Sequence, residues 1–155
     1  MSRLTDLRIT IRPYDPADRQ GCLAIFDGNT PDAFAPHERA DFSEFLESGT
    51  CPYLVLETAD LALIGCGGYY LKPPDGDAGL AWGMIDRSWQ RRGLGRDFLN
   101  ARLALLRQAG ARRVHVRTSQ RSRAFFERCG FSASRVVPDG LAPGIDRVDL
   151  NLPLP

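Results

Sequence analysis

In residues 7–14, Leu7, Ile9 and Ile11 alternate with polar neighbours, the period-two pattern of a half-buried strand. Asp15-Pro16 then supplies an N-cap and a proline at the first helical position. The helix that follows carries Cys22, Leu23, Ile25 and Phe26 on its inner side and ends at Gly28-Asn29. Phe34 marks the next loop as ordered, and a second helix over 36–47 buries Phe42, Phe45 and Leu46 before stopping at Gly49. Strands at 53–58 and 61–72 form a hairpin around Ala59-Asp60, and residues 73–79 turn into a strand at 80–86. Glycines 65, 67 and 68 inside the third strand predict a bulge there, with close backbone approach as the second reading.

A long helix runs to about Gln108, burying Leu94, Phe98, Leu99, Leu103 and Leu106, with Gly110 as its left-handed end. A strand over 112–118, a short helix closed by Gly130-Phe131, and strands near 131–137 and 147–154 complete the chain. The order β-α-α-β-β-β-α-β-α-β-β predicts an α/β (α+β) fold: a mixed, mostly antiparallel central sheet of about seven strands flanked by about four helices. One domain over residues 1–155 is expected, without repeats or linkers.

Composition narrows the classes. Hydrophobic residues make up 43% and charged residues 25% of the 155, and the net charge is +1, so the clustered arginines are a local feature and nucleic acid is not the expected partner. No apolar run reaches eighteen residues and the first twenty lack a signal-peptide core, so a cytoplasmic protein with no membrane partner is expected. Cys22, Cys51, Cys66 and Cys129 form no C-x-x-C pair, so free thiols and no metal site are expected.

The stretch Ser88-Trp-Gln-Arg-Arg-Gly-Leu-Gly-Arg-Asp-Phe98 carries the chemistry. It lies where a strand feeds a helix, whose first turn offers unpaired backbone N–H groups and the positive end of the dipole. Gly93 and Gly95 let an anion approach that backbone, and Gln90, Arg91, Arg92 and Arg96 add side-chain donors. A diphosphate fits. The stretch has neither the Lys-Ser/Thr of a P-loop nor the G-x-G-x-x-G of a dinucleotide fold. A loop glycine pair with solvated arginines remains the alternative on these residues alone.

Gln90-Arg91-Arg92-Gly93-Leu94-Gly95 resembles the Q/R-x-x-G-x-G/A signature of the GNAT superfamily of N-acetyltransferases. Residues 119–131 resemble that family's N-x-x-A-x-x-F-Y-E-x-x-G-F segment, and the opening "ITIRPYDPADRQGCLAIF" looks like its usual start. The resemblance spans about 7–154 and implies an acyl-CoA N-acyltransferase-like fold. It further implies acetyl-CoA as cosubstrate, no metal, and direct attack by a primary amine in a ternary complex. Gly83, Met84 and Ile85 would offer backbone groups to pantetheine, with Ile85 N–H polarising the thioester. Arg91, Arg92, Gly93, Leu94, Gly95 and Arg96 would hold the pyrophosphate. Ser119 falls at a cofactor-contacting position and also reads as a helix N-cap.

Phe126 stands where many members place a tyrosine acid beside the cofactor, so that phenol is missing. Gly79 and Val114 stand where relatives carry a glutamate, which leaves Glu57 and Tyr70 as catalytic candidates and Asp86 as a carboxylate near the bulge. His115 and His37 read as structural. Asn29, Phe34, Tyr70 and Trp82 are the expected acceptor pocket. A small-molecule or peptide amine is the expected partner, with a homodimer through the last two strands as a family habit. The alternative function is an acyl-CoA-binding sensor or interaction module with little or no catalysis.

Overall fold

The computed structural model describes residues 3–155. Its seven-stranded sheet has the order β1-β2-β3-β4-β5-β7-β6, formed by β1 (Thr10–Pro13), β2 (Tyr53–Glu57), β3 (Leu63–Lys72), β4 (Asp77–Ile85), β5 (Arg113–Ser119), β6 (Ser132–Ala142) and β7 (Ile145–Pro153). Every neighbouring pair is antiparallel except β4 and β5. Those two pair only at Asp77–Arg113, Ala78–Val114 and Gly79–His115 and then part. β4 continues to Ile85 and β5 to Ser119, so the sheet opens into a cleft toward their C-terminal ends.

Two helical layers cover the sheet. On one face, α2 (Arg19–Gly28) and α3 (Glu38–Ser48) bury Cys22, Leu23, Ile25, Phe26, Phe42 and Leu46 against Tyr53, Val55, Cys66 and Met84. On the other, α4 (Leu94–Gln108) and α5 (Gln120–Arg128) pack over Ala78, Val114, Val116, Val148 and Leu150. Gly49, Gly110 and Gly130 all take positive φ just beyond α3, α4 and α5, as the sequence predicts, and Phe131 N–H donates back to the Phe126 carbonyl at 3.0 Å.

Three features differ from the expectation. The first strand begins at Thr10, because Arg3–Asp6 forms a helical turn, α1, that sets Leu4 beside Ile9, Leu94 and Phe98. Asp15 caps a 3-10 turn, Pro16–Asp18, ahead of α2 instead of capping α2 itself. Toward β2 the extra residue is Ile64 of β3, beside Gly65 as expected, but a second bulge lies on β4: Cys66 pairs with Met84 and Gly68 with Ala81, so Gly67 faces both Trp82 and Gly83. Gly68 serves close packing instead, since a Cβ there would stand 2.6 Å from the Pro52 carbonyl oxygen.

Candidate active site

The cleft begins at the β4 bulge. Trp82 has φ +46°, and its carbonyl accepts a hydrogen bond from the Tyr53 hydroxyl at 2.7 Å. Beyond the bulge the Asp86 N–H bonds the Ile64 carbonyl, which makes Gly65–Ile85 a non-bonded pair of the antiparallel ladder. The N–H and C=O of Ile85 therefore point away from β3, toward the open edge. The Ile85 carbonyl is taken there by Asn29 Nδ2 and Gln90 Nε2, each at 3.0 Å.

Past β4 the chain turns through Arg87–Trp89 and enters α4 at Gly93, whose φ is +82° and which has no side-chain cap. The first intrahelical bond there is Asp97 N–H to the Gly93 carbonyl, which leaves the N–H groups of Leu94, Gly95 and Arg96 directed out of the helix. A Cβ on Gly95 would meet nothing closer than Phe125 at 3.5 Å, so the turn stays open to an incoming anion. Arg91 and Arg96 are exposed, and Arg92 lies 4.6 Å over the Trp89 ring. The donor set suits a diphosphate.

Several expected site residues sit differently. Gln90 gives its amide hydrogens to Asn29 Oδ1 (2.7 Å) and the Ile85 carbonyl, so it braces the turn. Asn29 is buried and also donates to the Ile25 carbonyl; both its amide hydrogens are spent tying the end of α2 to β4, and its Oδ1 accepts from Gln90. Glu57 is committed to Arg12 at 2.8 Å, on the far side of β3 from the cleft. Asp86 caps the turn at Ser88. Ser119 is buried and caps α5 through Arg121 N–H. Phe126 packs edge-on against Phe125 and Phe131, and Phe125 is the α5 residue that meets the glycine turn.

The face opposite α4 carries the reactive groups. Ala78, Leu80, Val114 and Val116 turn toward α4, so Gly79 and His115 turn the other way. The Tyr70 ring lies over Gly79 so closely that a Cβ at 79 would stand 2.2 Å from its hydroxyl oxygen. His115 Nδ1 is hydrogen-bonded to Asn151 Oδ1, and its Nε2 lies 3.6 Å from Asp77 Oδ1. Tyr70, Gly79 and His115 thus stand in one row across the last bonded pair before the cleft opens. The sequence reads His115 as structural; the alternation that turns it from Val114 sets it on the face of Tyr70 and Gly79. On the same side Phe34 and Trp82 lie 6.0 Å apart, within an aromatic group that includes Phe26 and Phe42.

Arg102 is buried beneath the bulge from the α4 side. Desolvation pushes its pKa down to about 10. Burial pushes the nearby Tyr53 hydroxyl well above its ordinary value.

Residues 22–131 match the acetyltransferase (GNAT) family. The chain belongs to the GNAT family. No curated protein matches it in sequence. Among solved structures, a GNAT-family protein from Desulfovibrio desulfuricans superposes with a TM-score of 0.80 at 24% identity, covering 94% of this chain and 98% of its own. YncA from Salmonella typhimurium, solved with its cofactor acetyl-CoA, gives a TM-score of 0.72 at 19% identity over 95% and 94%. A ribosomal-protein-alanine N-acetyltransferase from Brucella melitensis gives 0.70 at 20% over 94% and 99%. At these identities the likeness is one of fold. The parted β4 and β5, the bulge and the glycine turn are thus features of a GNAT acetyltransferase, and acetyl-CoA is the cosubstrate of the family. Among the described residues no helix is long and apolar enough to cross a membrane, and no group of metal-ligating side chains is assembled.

Proposed function

We propose that the protein is an acetyl-CoA-dependent N-acetyltransferase that acetylates a primary amine by direct attack in a ternary complex. The observation that carries this reading is the open edge of β4, from Gly83 to Ile85, leading directly into the uncapped Gly93–Arg96 turn. The turn would take the diphosphate, with Arg91, Arg92 and Arg96 as flanking donors. The edge would take the pantetheine, and Ile85 N–H would polarise the acetyl carbonyl. The acetyl-CoA-bound YncA supports this reading by its fold.

The bound thioester supplies an electrophilic carbon: the amine nitrogen bonds to it, and the C–S electron pair departs on sulfur. The chain must remove one proton from the attacking nitrogen. His115 is the base this reading assigns. With Nδ1–H donated to Asn151 Oδ1, Nε2 keeps its lone pair, and the resulting imidazolium would face the Asp77 carboxylate. Tyr70, beside it over Gly79, would orient the acceptor amine through its hydroxyl. Phe34 and Trp82 would wall the pocket on the α2 side.

The test is release of CoA from acetyl-CoA with a panel of amines, followed by His115→Gln. Loss of a positioned base lowers kcat by about 100-fold or more, with acetyl-CoA affinity unchanged. A variant with wild-type kcat would remove His115 from the role. Binding of acetyl-CoA without turnover of any amine would favour the non-catalytic CoA-binding module.

A further inference from the structure

Arg102 is an arginine in the interior with no carboxylate at ion-pairing distance among the described residues. Only 5% of its surface is exposed; Nη1 donates to the Gly68 carbonyl at 3.3 Å, and Nε has no partner. Its guanidinium lies 4.5 Å over the Phe98 ring. Two strands make room for it. A Cβ on Gly67 would stand 2.9 Å from Nη1, and a Cβ on Gly83 would stand 2.9 Å from Nη2. Gly83 is an exposed residue of the bulge, so the cation lies one backbone thickness below the surface of the cleft. Across the sheet burial keeps the Tyr53 hydroxyl neutral, so among the described residues nothing cancels the Arg102 charge locally.

We propose that Arg102 is a positioning charge that acts through the β4 bulge to stabilise the sulfur anion released as the acetyl group leaves. The proposal rests on the acetyltransferase reading above. In that transfer the C–S electron pair stays on sulfur, and the Phe126 side chain has no hydroxyl to protonate it. A fixed cation beneath the strand meets the same need without moving a proton, and the bulge is where two glycines let it come closest. The family's phenol and this arginine are then two answers to one leaving-group problem.

The test compares calorimetric affinities for CoA and desulfo-CoA, which lacks only the sulfur, at pH 8.5, where an ordinary thiol is about half ionised. The wild type is expected to bind CoA about tenfold more tightly than desulfo-CoA. Arg102→Met is expected to abolish that advantage while leaving desulfo-CoA affinity unchanged, and Arg102→Lys is expected to keep most of it. Equal wild-type affinities, or an advantage that survives in Arg102→Met, would overturn the proposal. Should the methionine variant fail to fold, the wild-type comparison and the lysine variant decide: an advantage lost despite the retained lysine charge overturns it. Binding of neither ligand would instead strike the acetyl-CoA reading itself, an outcome distinct from equal affinities.

Discussion

Arg102 shows how one residue can work against the fold that contains it. A guanidinium held at about 10 instead of 12.5 costs the folded state about 3 kcal/mol, because burial penalises its charged form. The sign is fixed: the penalty is fully present at neutral pH and fades only as pH rises through 10. Arg102→Met keeps the length of the side chain and removes the charge, so it should unfold at a temperature no lower than the wild type, and up to about 2 kcal/mol more stable. Calorimetry checks this; a clear loss of stability would mean that the Gly68 bond and the Phe98 stack outweigh desolvation. The helical period alone turns Arg102 inward, four residues from Phe98 and from Leu106 and three from Leu99; what the sequence does not show is the room for its guanidinium, which Gly67 and Gly83 supply from two other strands. His115 was half legible: alternation gave its face, but its partners Asn151 and Asp77 come from other strands.

Elements were easier to read than side chains. Periodicity, turn residues and β-branched runs placed the seven strands and the four longer helices; the pattern is clearest where one face is buried, as in α4, and weakest in β6, which has no buried residue. The glycines of β3 mark the bulge at Ile64 against β2, but nothing in the sequence marks the second bulge, on β4, which leaves Trp82 at positive φ. The start of β1 was lost because Leu4 packs beneath α4, a contact no local pattern records. The entry to α2 carries its own clamp: Asp18 accepts two hydrogen bonds from Arg12 and one from Asp15 N–H, each at 2.8 Å, and Arg12 also holds Glu57. The Arg12 bonds hold the Asp18 carboxyl below its ordinary 3.8, so its stabilisation is present above that pH and lost as pH falls through the lower folded value. Asp18→Asn should therefore cost about 1–3 kcal/mol at pH 7. The gap to wild type should narrow only as pH falls below 3.8, which thermal melts between pH 2 and 7 would show.

Across the whole molecule the sheet divides the work. One half, β1 to β4, lies between the aromatic layer of α2 and α3 and the helix α4; the other, β5 to β7, is covered by α5 and shares a core with α4. Their strands share three bonded pairs, and the cleft is what remains where pairing stops. The loop after α2 reaches across its mouth, where Arg121 donates to the carbonyls of Pro31 and Asp32 and Arg87 pairs with Asp32. The central claim is that acetyl-CoA occupies this cleft with its diphosphate on the Gly93 turn. Thermal unfolding with acetyl-CoA, CoA and ATP tests it most directly. A ligand at one hundred times its Kd adds about 2.7 kcal/mol, which for a chain of this size raises Tm by about 5–10 °C. That rise is expected with acetyl-CoA and with CoA, and none with ATP. No rise with either CoA ligand, or an equal rise with ATP, would contradict it.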